Sequence, residues 1–212
     1  MSKKRKVSRK KIIALTENAM LSAIILLMAF TPLGYLQLGP VKMTFIMVPV
    51  AVGAMTLGEK TGAFLGLVFG ITSFIQCFGL DAFGTTLLSI NPIFTFIMCI
   101  VPRVLMGYLC AVIYKLVARK KRKVAYVIGA LSAPILNTAF FMTLLILFFG
   151  KSDYIMGFRG DLSLVAFLAA FIGLNGLMEI VTTTIVAPPV ASVIHKAIKK
   201  IKVPEKIGDF FY

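Results

Sequence analysis

Apolar residues run through this chain in long uninterrupted blocks separated by short charged clusters. Charge-free stretches cover residues 18–41, 43–58, 61–80, 82–102, 104–114, 124–150, 162–178 and 180–195. Joining the fourth to the fifth across Arg103, and the last two across Glu179, leaves six segments. Each is near or above the ~20 residues that a membrane-spanning helix requires, the second being the shortest. The pattern predicts helices over 14–33, 43–57, 61–78, 92–117, 124–149 and 162–194. Short connections after the second and fourth make antiparallel hairpins, and loops at 34–42, 79–91 and 150–161 gather at the opposite end. The expectation is an all-α integral membrane protein, six transmembrane helices in a compact bundle. It divides into a basic tail (1–13), a membrane domain (14–195) and a second basic tail (196–212).

Composition supports this reading. Hydrophobic residues make up 59% of the 212 and charged residues only 15%, too few to dress the surface of a water-soluble domain. The formal charge of +15 suggests nucleic acid only if position is ignored. Nineteen of the 23 Lys and Arg fall in the N-terminal tail, the turn holding Lys60, the turn from Lys115 to Lys123, and the C-terminal end. Lys42, Lys151 and Arg159 lie on the other side, and Arg103 lies inside a span. By the positive-inside rule both termini are cytoplasmic. The opening run SKKRKV has the look of a nuclear-localisation signal, but three other stretches share its bias, so orientation and contact with anionic membrane lipid explain it and no nucleic-acid partner is expected. The first apolar run is a full span with no cleavage site after it, unlike a removable signal peptide. Cys77, Cys99 and Cys110 sit in apolar stretches without metal-like spacing and read as packing residues; neither metal nor cofactor is expected.

Residues Gly53 to Thr61 approach a phosphate-binding loop, but Glu59 separates Gly58 from Lys60 where the motif requires adjacency, and the segment closes a hairpin of spans. Nucleotide hydrolysis is therefore not expected of this chain. Gly58, Gly62, Gly66 and Gly70 recur every fourth residue and let a neighbouring helix approach closely. Ala19, Ala23 and Ala29 form a related stripe on the first helix, open to two readings: internal packing, or docking of a partner's membrane helix.

Charges inside the spans are costly, ~2.5–3.5 kcal/mol at the centre on insertion scales, so Arg103 and Glu179 are expected to face the bundle interior. Asn137 on the fifth span and Asn175, one turn before Glu179 on the sixth, join them. Two readings stay open. Arg103 and Glu179 pair with each other and lock the helices, or the guanidinium forks onto a ligand carboxylate or phosphate while the amides read neighbouring groups. The 34–42 loop, with Tyr35, Gln37 and Pro40, and the segment from Asp81 to Asn91 are placed to cover such a pocket, although turn chemistry also accounts for them. Catalytic signatures are missing: there is no G-x-S-x-G and no H-E-x-x-H, and His195 lies far along its helix from Glu179.

The chain resembles the substrate-binding S components of energy-coupling-factor (ECF) vitamin transporters. The resemblance rests on six spans in some 200 residues, Ala19-x-x-x-Ala23, the stretch from Leu38-Gly39-Pro40 through Gly58-Glu59-Lys60-Thr61-Gly62 to Gly66, and Pro102-Arg103-Val104-Leu105-Met106-Gly107. It implies a binding subunit without enzymatic activity that captures a water-soluble vitamin outside the cell. A membrane coupling subunit (T component) and two cytoplasmic ABC-type ATPases would be its partners, with Ala19 and Ala23 touching the coupling subunit, in a cell membrane of bacterial type. Asp81-Ala82-Phe83-Gly84-Thr85-Thr86-Leu87-Leu88 with Asn91-Pro92 is most similar to the pantothenate-specific branch. Pantothenate offers a carboxylate for Arg103, and an amide and two hydroxyls for Asn137, Asn175 and Glu179; Tyr35, Gln37 and Asn91 complete the expected substrate contacts. Riboflavin and lipoate subunits share much of the scaffold, and a freestanding secondary transporter is the remaining alternative, for which Glu179 would be the acidic group in the spans.

Overall fold

The computed structural model describes the backbone of residues 2–38 and 41–200, and within it the side chains other than those of residues 2–11, 13, 33, 35–38, 41–43, 158, 164–165, 168, 171–172, 174–175 and 198–200. Within it run α1 (Ser2–Ala29), a 3-10 turn (Pro32–Gly34), β1 (Tyr35–Leu38), β2 (Val41–Thr44), α2 (Met47–Leu57), α3 (Glu59–Gln76), α4 (Ala82–Ile90), α5 (Pro92–Ala118), α6 (Arg122–Phe149), α7 (Asp153–Arg159) and α8 (Leu164–Lys200). Among the described residues three helical stretches are long and apolar enough to cross a membrane: Pro92–Ala118, Arg122–Phe149 and Gly176–Ala197. Ala14–Ala29 and Met47–Leu57 are shorter apolar helices. Large apolar side chains point outward all round the bundle, among them Leu15, Leu27, Ile93, Leu147 and Ile185, each at least 65% exposed. A surface this oily is what lipid tails solvate and water does not.

The shortest of these helices is the most central. α2 carries no charge, and Val50, Ala51, Val52 and Ala54 are almost fully buried in one core with Ile25 of α1, Leu65 and Phe69 of α3, Met106 and Cys110 of α5, Ala130 and Ala133 of α6, and Ala187 and Ala191 of α8. A helix apolar on every face is stable only where other helices surround it, which is how 11 residues serve here.

Against α2 pack α3 and α5, themselves joined along the glycine stripe. A Cβ placed at Gly62 would stand 2.2 Å from the Gly107 carbonyl oxygen, and one at Gly66 2.2 Å from that of Arg103. The backbones touch, so internal packing accounts for Gly62, Gly66 and Gly70. Gly58 has a different job: with φ 93° it makes the break between α2 and α3, and α3 starts at once with Glu59.

The two ends of the bundle differ. At one, Lys115 of α5 pairs with Glu59 of α3 at 3.5 Å, Arg122 of α6 meets His195 of α8, and Asn18 of α1 donates to Thr61 at 3.4 Å. The basic turns thus gather together, as their sequence spacing predicts. The other end carries the connections expected as loops, and all three have structure. β1 and β2 pair antiparallel from Tyr35↔Thr44 to Leu38↔Val41. α4 forms because the Asp81 carboxylate accepts from the Gly84 amide at 2.9 Å, and α7 because the Ser152 hydroxyl accepts from the Ile155 amide at 3.4 Å. Phe83 and Leu87 of α4 share an apolar cluster with Met98, Leu145, Phe149, Ile155 and Phe167.

Helix ends also move. α1 begins at Ser2 rather than at residue 14, because Lys and Arg are good helix formers and nothing in the basic segment breaks the helix. α8 carries a non-helical residue, Gly173 (φ 15°, ψ −129°), and continues to Lys200. Residues 201–212 of the C-terminal tail lie outside the described residues.

Candidate functional site

Arg103 sits near the middle of α5, on the helix side that faces α3 and α6. Its Nη1 donates to the Met98 carbonyl at 2.8 Å. The guanidinium carbon lies 5.5 Å from the Phe69 ring centroid and 5.0 Å from that of Phe141, so aromatic faces of α3 and α6 flank the charge. Nε is buried without a hydrogen-bond partner. A guanidinium has five N–H donors in a fixed fork, and among the described residues the Met98 carbonyl is the one acceptor it meets.

Asn137 lies one turn before Phe141 on α6, on the same face. It is 6% exposed, and its Oδ1 is buried with no partner. Unpaired buried polar atoms of this kind cost ~1–3 kcal/mol each, so two of them at one level of the bundle need a reason.

Glu179 on α8 is buried too. Its Oε1 accepts from the backbone amide of Thr44 at 2.9 Å, at the foot of the ribbon. Arg103 lies within electrostatic reach of this carboxylate, yet a direct Arg103–Glu179 bond is not among the hydrogen bonds and ion pairs of the described residues. The pairing partner of Glu179 is the ribbon. Thr183, one turn further along α8, is fully buried with its hydroxyl unpartnered.

The other expected contacts differ in standing. Asn91 caps α5: its Oδ1 accepts from the amides of Ile93 and Phe94, both at 3.1 Å, so that oxygen is engaged in holding the helix start. The side chains of Tyr35, Gln37 and Asn175 lie outside the described ones; the backbones of Tyr35 and Gln37 are in the ribbon, opposite Thr44 and Lys42. Ala19 and Ala23 are exposed on α1.

Several residues escaped the sequence pattern. Phe69 and Phe141 flank the arginine, but two of 18 phenylalanines carry no signal until helices are packed. Gln76 does carry one: a polar side chain near the end of an apolar run, it is buried and donates to the Ala29 carbonyl, joining α3 to α1. Glu17 is a second acidic residue within an apolar helix, and its Oε2 is buried. Glu179 is therefore not alone. Among the described residues no group of three or more His, Cys, Asp or Glu stands close enough to hold a metal ion.

A sequence model of the family described as "ECF transporter, substrate-specific component" matches residues 14–191, most of the chain. The chain belongs to this family. Its membership bears out the resemblance read from the Pro102-Arg103 and glycine motifs, and it makes the protein a transporter component. Two curated relatives are similar across most of their length. The pantothenic acid transporter PanT of Lactococcus lactis subsp. cremoris is 28% identical over 167 residues, covering 74% of this chain and 80% of that protein. The pantothenate transporter PanT of Leuconostoc mesenteroides subsp. mesenteroides is 29% identical over 184 residues, covering 81% and 87%.

Proposed function

We propose that this ECF substrate-specific component binds pantothenate, taken from outside a bacterial cell, in the space between α5, α6 and α8 beneath the ribbon. The observation that carries the reading is Arg103: a guanidinium between two aromatic rings, its Nε buried and unpartnered, with the unpartnered amide oxygen of Asn137 one helical turn from the Phe141 ring. The carboxylate of the vitamin would fork onto Arg103, and its hydroxyl and amide hydrogens would go to Asn137 and Glu179, with Asn175 on the same helix. The names of the two relatives support the choice of vitamin. Tyr35, Gln37 and Asn91 belong to the elements that would cover the ligand, and the ribbon would move on and off it.

In this reading the six spans cross the cell membrane with both termini in the cytoplasm, since the basic turns share one end of the bundle. A membrane coupling subunit would dock on the exposed Ala19–Ala23 face of α1 and two cytoplasmic ABC-type ATPases would supply the energy, this chain performing no chemistry. Binding of labelled pantothenate to the detergent-purified chain, with riboflavin and lipoate as competitors, tests the proposal. Saturable binding displaced by unlabelled pantothenate alone is the expected result. Displacement by another vitamin would overturn the specificity, and no binding by monodisperse protein would overturn the site.

A further inference from the structure

Two of the three cysteines stand side by side. Cys77, at the C-terminal cap of α3, and Cys99 of α5 place their Sγ atoms 3.8 Å apart, and both side chains are buried. Cys110 lies on the same helix as Cys99, but its thiol is directed to the Gly129 carbonyl at 3.2 Å. The glycine seam brings the pair together: a Cβ at Gly70 would stand 2.9 Å from the Cys99 carbonyl oxygen, so the α3 and α5 backbones are in contact within two turns of both thiols. α4 closes the other side, since a Cβ at Gly84 would stand 2.6 Å from the Cys77 Sγ. Arg103 follows Cys99 by one turn of α5. The pair therefore occupies the ribbon end of the bundle, where α3, α4 and α5 meet.

We propose that Cys77 and Cys99 are a redox-active dithiol, a modification site that small oxidants such as hydrogen peroxide convert into a disulfide stapling α3 to α5. A disulfide requires the sulfurs at ~2.05 Å, and with the backbones already held by the seam, the remaining approach comes from rotation of two side chains. One thiolate attacks a peroxide oxygen and releases hydroxide, leaving a sulfenic acid. The second thiol attacks that sulfur, and the sulfenic oxygen leaves as water. In sum, two thiols and one peroxide give one disulfide and two waters; the sulfurs lose two electrons and the peroxide gains them.

The test treats the detergent-purified full-length chain with hydrogen peroxide, denatures it, and counts N-ethylmaleimide adducts by mass spectrometry. Untreated chain takes three. Peroxide-treated chain is expected to take one, on Cys110, and three again after dithiothreitol. The Cys110→Ser variant should fall from two adducts to none. In Cys77→Ser and Cys99→Ser the surviving partner should stop at sulfenic acid, trapped by dimedone, with no internal disulfide formed. Retention of all three adducts after treatment, a disulfide that includes Cys110, or cross-linked dimers would each overturn the assignment. Monodisperse elution before treatment establishes that each variant is folded, so an unfolded preparation is not scored.

Discussion

The backbone amide of Thr44 donates to Glu179 Oε1 at 2.9 Å, fixing the foot of the β1–β2 ribbon to the middle of α8. Residues 135 positions apart in sequence are joined, and the bond ties the ribbon to the helix that carries Glu179. Glu179 therefore has a structural task that its charge does not perform alone, since a neutral glutamine offers the same acceptor.

Substitutions at 179 separate the two contributions. Glu179→Gln keeps an oxygen for the Thr44 amide and should retain a thermal midpoint in detergent close to that of the unaltered chain. Glu179→Ala leaves a buried amide unpaired, at a cost of ~1–3 kcal/mol, and should lower the midpoint measurably while speeding release of bound pantothenate. Equal midpoints for the two variants would remove the latch role.

Arg103 is expected to act on ligand rather than on fold. Its geometry supplies one bond to Met98 and two ring contacts, and loss of a charged hydrogen bond to a ligand carboxylate costs ~1.5–3 kcal/mol, or roughly 10- to 150-fold in affinity. Arg103→Ala should weaken pantothenate binding by about that much while eluting as a monodisperse monomer. Arg103→Lys should recover part of it, keeping the charge and losing the fork. Aggregation of Arg103→Ala with unchanged binding in its folded fraction would return Arg103 to a structural role.

The helical membrane bundle was legible because lipid imposes long apolar runs, and those runs survive any reshuffling of their order. Arg103, Asn137 and Glu179 were legible for a related reason: a polar group in such a run is expensive, so each one stands out. What pairs with each was not. Glu179 accepts from a backbone amide of the ribbon, and a backbone donor leaves no mark on a sequence. The segments of the ribbon, α4 and α7 have the pattern of loops, because they are short and rich in glycine, aromatic and small polar residues. For α4 and α7 the caps at Asp81 and Ser152 decide the outcome, and both are residues of the usual capping type. The cysteines are far apart in sequence, and the adjacency of Cys77 and Cys99 comes from the register that Gly62, Gly66 and Gly70 set between α3 and α5.

That register yields a prediction of its own. Any side chain at Gly66 meets the Arg103 carbonyl, since even a Cβ would lie 2.2 Å from it, so α3 and α5 must separate. Gly66→Leu should destabilise the protein by ~1–3 kcal/mol or more, the scale of overpacked cores, and should reduce the yield of monodisperse protein. Gly157→Ala in α7, where a Cβ meets nothing within 4 Å, should be neutral or slightly stabilising. A normal midpoint for Gly66→Leu would mean that the helices do not touch at this level.

The exposed face of α1 gives the complementary case. Ala19 and Ala23 are exposed beside Leu15, Met20 and Leu27, so enlarging both to Leu adds side chains to an exposed apolar surface and should leave the fold and pantothenate binding within about 0.5 kcal/mol of the original. Small residues matter on a membrane helix where another backbone must come close, so under the proposed function the same double variant should fail to copurify with the proposed coupling subunit and ATPases and should lose uptake in cells. Binding and uptake then part company: full affinity in detergent with no transport. Loss of binding with intact copurification would instead place Ala19 and Ala23 within the packing that shapes the ligand site.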